Sequence, residues 1–170
     1  MNPYTGKKTL AATDDLGNDG FWPDLNAGTF AEQYRIPSEY KDPVFIDRLT
    51  LAIIDINAQL QAVKALLIND YLSLPHYCAV NVEQIAGVDV LIKKYEEAVF
   101  SKAKALLLKQ FLTMERKAEA ENLAKEAPET ESYWLERSAL AVQFFLTRFL
   151  TDADTGQAPL SAGSMKATVI

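Results

Sequence analysis

From Phe45 onward, apolar residues recur three or four apart: Leu49, Ile53, Ile56, Leu60, Val63 and Leu67. That spacing draws one face of a helix about 30 residues and roughly 45 Å long. It starts at Asp42-Pro43, an acidic N-cap followed by Pro at the first helical position, and runs to about Tyr71. Asp47, Arg48, Asp55, Gln61 and Lys64 fall largely off the stripe and are expected in water. A second stripe, Leu91, Tyr95, Val99, Ala103, Leu106 and Phe111, predicts a helix from near Val88. Lys93, Lys94, Glu96, Glu97, Lys104 and Lys109 occupy its other faces, and Met114 to Ala127 reads as a charged, frayed extension ending at Pro128. A third helix spans about Glu131 to Leu150, with Trp134, Ala141, Phe144, Phe145 and Phe149 on one side.

Shorter elements fill the remainder. Thr29 and Glu32 fit a capping box, which predicts a short helix from Thr29 to Arg35, stopped by Pro37. Ser73 to Gly87 reads as a connection in which Pro75 breaks the helix, with one short turn at Asn81 to Gln84. Tyr77 to Val82 is partly β-branched and aromatic but too isolated to imply a sheet. Residues from Met1 to about Gly17 show no periodicity and read as a flexible arm. The pattern predicts an all-α protein: a small antiparallel helical bundle over residues 29–150, preceded by an arm over 1–28 and followed by a linker and tail over 151–170.

One segment lies outside every stripe. Asp19-Gly20-Phe21-Trp22-Pro23-Asp24 sets two large aromatics between Gly20, which permits positive φ, and Pro23, which fixes φ. Burying each ring is worth roughly 1.5–3 kcal/mol or more. Either the loop folds back on its own helices or it anchors to another subunit.

The 170 residues suit one domain, and a hydrophobic fraction of 49% can supply its core. The net charge is −6, which disfavours tight nucleic-acid binding because that affinity comes mainly from Lys and Arg on phosphates. The single Cys78 excludes an intrachain disulfide and requires no oxidising compartment. No apolar signal-peptide core stands at the N-terminus, and no apolar run approaches ~20 residues, so neither secretion nor a membrane helix is expected.

Catalysis finds little support. His76 and Cys78 lack further soft ligands for a metal, and as neighbours on one loop they lack an oriented third group. Ser101 and Lys104 match a Ser-x-x-Lys string, but the other signatures of that chemistry are absent, and the pair is expected on a solvated helix face. The carboxylates Glu96-Glu97, Glu115 with Glu119, and Asp152 with Asp154 sit in charge-rich stretches rather than an apolar cleft. We expect no enzyme activity, no metal and no cofactor.

Asn18-Asp19-Gly20-Phe21-Trp22-Pro23-Asp24 leads to a short helix ending Tyr34-Arg35-Ile36. This string, with others that follow it in order, resembles the head completion protein family (GPL) of tailed bacteriophages. Phe45-Ile46-Asp47-Arg48-Leu49 precedes Asp55-Ile56-Asn57-Ala58-Gln59-Leu60, similar to the family's Val-Asn-x-Glu-Leu core, with Gln59 in place of the acid. Tyr95-Glu96-Glu97-Ala98-Val99-Phe100-Ser101-Lys102-Ala103-Lys104-Ala105 resembles its Tyr-x-x-Ala-Val-Tyr-x-x-Ala-Lys-Ala helix, and Ala167-Thr168-Val169-Ile170 is like its aliphatic tail.

The resemblance implies a structural connector made in the host cytoplasm and built into the virion at the head–tail junction. It implies a ring of copies, by analogy twelve, beneath the portal, joined by tail or tail-completion proteins, with DNA passing through unbound. Its implied latches to neighbours or portal are Asp19, Gly20, Phe21, Trp22, Pro23 and Asp24 in the loop and Thr168, Val169 and Ile170 in the tail. A β-branched tail suits addition of a strand to a sheet edge. The rival reading is a small helical adaptor or regulatory module that binds one protein partner.

Overall fold

Leu91, Tyr95, Ala98, Val99, Phe100, Ser101, Ala103, Lys104, Ala105 and Leu107 are all buried, on more than one side of a single helix. The computed structural model describes residues 15–36, 43–114 and 130–150, and that helix, α5, is its centre. In chain order the described elements are β1 (Asp15–Leu16), β2 (Leu25–Asn26), α1 (Ala27–Gln33), α2 (Pro43–Gln59), α3 (Gln61–Leu67), α4 (Leu74–Val80), β3 (Gln84–Ile85), β4 (Val88–Asp89), α5 (Val90–Met114) and α6 (Glu131–Leu150). The protein is mostly helical, with two strand pairs of two residues each, β1–β2 and β3–β4.

α6 runs antiparallel to α5. Its beginning meets the far part of α5 through Lys109 and Glu131, while Arg137 and Ser138 reach back to Glu97 and Ala98. The Ser138 hydroxyl donates to the Ala98 carbonyl at 2.8 Å, so this buried hydroxyl is satisfied at the helix contact. α2 touches α5 through Asp55 with Lys102 and Asn57 with Tyr95. Covered on these sides, α5 cannot keep one apolar stripe. Between Ala98 and Ala105 only Lys102 escapes burial, and Ala98, Ala103 and Ala105 are small enough to let the neighbours close in.

This corrects the expectation for Ser101 and Lys104. They do not form a solvated face: Lys104 is 7% exposed and Ser101 fully buried. Lys104 lays its aliphatic stem in the core and donates from Nζ to the Tyr34 carbonyl at 3.0 Å, with the Trp134 ring nearby. The Ser101 hydroxyl lies 3.5 Å from that of Tyr34.

Four further expectations change. The long helix predicted from residue 43 to about 71 divides into α2 and α3 at Leu60, whose φ of −95° and ψ of 10° leave the helical region. Backbone bonds from Leu60 to Ile56 and from Lys64 to Leu60 carry the path across, and Leu60, Val63 and Leu67 stay buried. Pro75 does not break a helix but helps open one. Ser73 caps α4 by accepting from the His76 amide, and Pro75 sits in the first turn, where no intrahelical donor is required.

The cap of α1 is Asn26, whose Oδ1 accepts from the Thr29 amide at 2.8 Å; Thr29 is already inside the helix. Its other end closes with Arg35 at φ 49°, Ile36 N–H bonded to the Ala31 carbonyl and Arg35 N–H to that of Glu32, a Schellman arrangement. Finally, the connection after α4 contains a hairpin. Gln84 pairs with Asp89 and Ile85 with Val88 around Ala86-Gly87, both at positive φ as a type I′ turn demands.

α6 keeps its predicted bounds, and Thr130 caps it through the Tyr133 amide. The core joins Phe30, Phe45 and Phe100, whose rings stack with centroids 5.1–5.3 Å apart, to Trp22, Tyr95 and Phe145 deeper along α5. The expectations for Asp42, Pro37, Phe111 and the extension beyond Met114 concern residues or side chains outside those described.

Candidate functional site

The loop between β1 and β2 carries the two aromatics that lie outside every stripe, and its geometry is built from short polar side chains. Asp15 pairs with Asn26 and Leu16 with Leu25, so the two ends of the loop are held together. Within it, Asp19 Oδ1 accepts from the amides of Phe21 and Trp22 at 3.0 and 3.1 Å, an Asx turn that Gly20 allows by taking φ 82°. Asp24 Oδ1 accepts from the Asn18 amide and Asn18 Nδ2 donates to the Pro23 carbonyl, which closes the loop from the other side.

The aromatics point inward. Phe21 and Trp22 are each 2% exposed, so the loop folds back on its own helices. Trp22 stacks flat on Tyr95 at 5.0 Å and meets the edges of Phe21 and Phe145 at 5.0 and 5.9 Å. The Phe21 carbonyl accepts from the Leu74 amide at 2.8 Å, tying the loop to the start of α4.

A closed ring of hydrogen bonds fastens this packing. Asn18 Nδ2 donates to Tyr95 Oη at 2.7 Å, Tyr95 Oη donates to Asn57 Oδ1 at 2.7 Å, and Asn57 Nδ2 donates to Asn18 Oδ1 at 2.8 Å. Beside it, Lys64 Nζ reaches Asp19 Oδ2 at 2.7 Å and lies 5.7 Å from the centre of the Phe21 ring. Lys64, in α3, is therefore not the freely solvated residue that its place off the apolar stripe implies.

Of the loop residues expected as latches, Gly20 and Asp24 face solvent, Asp19 lies at the rim in its ion pair, Pro23 is half-buried, and Phe21 and Trp22 are spent internally. Thr168, Val169 and Ile170 lie outside the described residues. The partners that sequence reading missed are Asn18, Asn57, Lys64 and Tyr95. Asn57 and Tyr95 stand inside strings quoted for the resemblance, but pairs 38 and 77 residues apart leave no mark in one sequence.

The second polar feature is a cleft of about 310 Å³ where α1, α5 and α6 meet, floored by Tyr34, Phe100 and Trp134. Its carboxylates are already engaged. Glu96 pairs with Lys93 at 2.9 Å, and Glu97 receives Lys94 at 2.8 Å and Arg137 at 2.6 Å.

These ion pairs set an acid response. Burial pulls the carboxyl pKa values of Asp19 and Glu97 upward. Hydrogen bonds from Lys64 and the Trp22 and Phe21 amides to Asp19, and from Lys94 and Arg137 to Glu97, outweigh it, so both groups end below the ordinary carboxylate range. A carboxyl with a depressed folded-state pKa contributes stability above its unfolded pKa and loses it as pH falls through the folded value. The thermal midpoint is therefore expected to hold from neutrality down to about pH 5 and fall below about pH 4. Asp19→Asn combined with Glu97→Gln should lower the neutral midpoint and flatten the acid limb, as melting curves across pH would register.

No curated protein and no solved structure matches the chain significantly. A family model does: that of the phage head completion protein (GPL) matches residues 16–148, from β1 to near the end of α6 and so through the loop, its clasp and the central helix, and the chain belongs to that family.

Proposed function

We propose that this chain is a structural connector, made in the host cytoplasm, that completes the phage head at its junction with the tail. Copies form a ring, twelve by analogy, beneath the portal once DNA is packaged; the ring retains the DNA and offers a seat to tail or tail-completion proteins. The observation that carries this reading is the family match over residues 16–148.

The charge and architecture of the chain are consistent with it. In this reading the helices pack as a small antiparallel bundle whose flanks meet neighbouring copies, and the net charge of −6 lets DNA pass without sticking. The protein acts through surfaces rather than as an enzyme: the exposed rim of the loop at Gly20 and Asp24 and the tail residues Thr168, Val169 and Ile170 are the latches to neighbours or portal.

The test uses heads packaged in the absence of this protein. On adding the purified chain, imaging is expected to show a new ring of density at the portal vertex, with DNA release slowed. A chain that remains monomeric and leaves the heads unaltered and leaking would overturn the connector and favour an adaptor bound to a single partner.

A further inference from the structure

The hairpin β3–β4 leads directly into α5, and Gln84, Ile85 and Val88 on it are exposed. Val90 N–H bonds to the Glu83 carbonyl at 3.1 Å, so Glu83 and Val90 form a hydrogen-bonded pair. Antiparallel pairs alternate, which makes Gln84 and Asp89 a pair whose backbone N–H and C=O groups turn outward to the two edges. A two-stranded ribbon with free edges is a template for a further strand.

Its side chains point the same way. Ile85 and Val88 face each other across the ribbon and are 72% and 47% exposed. Apolar side chains on so small a ribbon are ordinarily covered by a third strand or a helix. Asp89 accepts from Gln84 Nε2 and has no cation within ion-pair distance among the described residues.

Beyond α6 the sequence carries a segment whose composition suits a strand. Glu83, at the base of the ribbon, pairs with Arg148 at 2.6 Å. Arg148 lies in the last turn of α6, so the end of this helix at Leu150 lies near the base of the ribbon. Residues 151–166 can extend over about 50 Å, far more than the approach requires. They lead to Ala167-Thr168-Val169-Ile170, uncharged and β-branched in three of its four side chains, with Lys166 adjoining to meet Asp89.

We propose that this tail docks on the ribbon of its own chain as a third strand, pairing with the free edge at Gln84 or at Asp89 and covering Ile85 and Val88 with alternate side chains. Tethering raises the effective tail concentration to the order of millimolar, which favours even a short strand. The proposal concerns the isolated chain, whose tail takes the edge of its own ribbon when no neighbour or portal is present, and it requires no ring and no portal.

The test is made on the isolated, full-length chain, so its failure leaves the connector reading intact, and a failure on heads leaves this one intact. Amide hydrogen exchange at Gln84 and Asp89 is compared with that of a chain ending at Lys166. One of the two amides is expected to exchange about tenfold slower in the full chain, and the slowed one names the edge. A synthetic Lys166–Ile170 peptide at millimolar concentration should restore the protection to the shortened chain. Ile85→Lys, at an exposed position, should abolish it with no change in melting. Equal exchange in both chains, indifference to the peptide, or slowing that appears only as protein concentration rises would overturn the proposal.

Discussion

Replacing Phe21 and Trp22 together by Ala is expected to lower the unfolding free energy by roughly 5–8 kcal/mol. Each buried aromatic truncated to Ala costs about 3–5 kcal/mol, from lost transfer energy and the cavity left behind. The two rings touch, so the sum is not strictly additive. Trp22 also holds the face of Tyr95, and its loss loosens the hydroxyl that joins Asn18 to Asn57. Since domains of this size are stable by about 5–15 kcal/mol, the variant is expected to be largely unfolded or to unfold at low urea. Urea titration followed by circular dichroism gives the value. Leu140→Ser, at a position 64% exposed on α6, serves as control and should change stability by less than about 0.5 kcal/mol. If the double variant keeps the parent's stability and only its joining to heads is lost, the rings belong to a partner, and the inward packing is not what anchors the loop.

That result bears on how the loop could be read from sequence. Two aromatics between Gly20 and Pro23 announced a shaped loop in need of burial, but gave no means of choosing between its own core and a neighbour. The choice lies with Tyr95 and Asn57, which are remote in sequence. Elements with strong local signals were legible: α6 kept its bounds because its apolar positions recur regularly and Thr130 caps it, and α2 began at Pro43. Where two local signals compete, the sequence alone does not show which one prevails. Thr29 with Glu32 looks like a capping box, while Asn26 made the cap. Pro75 looks like a breaker, while Ser73 two residues earlier turns it into a helix start. Ala86-Gly87 is a poor version of the usual Asn-Gly turn, so the hairpin had almost no signature. The break at Leu60 has neither Pro nor Gly to mark it. Burial of Ser101 and Lys104 is a property of the assembled fold: periodicity assigns one buried face to a helix, whereas α5 lies between neighbours.

Removing Ala167 to Ile170 should leave thermal stability within about 0.5 kcal/mol of the parent, as expected for a short segment separated from the last described helix by residues 151–166. Retention on packaged heads should nevertheless fall by at least a factor of about 100 if the tail is a latch repeated around a ring. A contact of a few residues is weak alone, but copies joined in one ring bind together, and multivalent attachment amplifies affinity by roughly 10²–10⁴. Loss of each small contact then removes the amplification as well, so retention collapses rather than declining in proportion. Mixing truncated protein with heads, washing, and quantifying bound subunits measures the effect. Val169→Asp tests the strand more narrowly, since it keeps the backbone donors and acceptors while placing a charge where an alternate side chain would pack. Undiminished retention of the truncated chain would move attachment to another surface, and the solvent-facing rim at Gly20 and Asp24 would then be the part of the molecule to alter next.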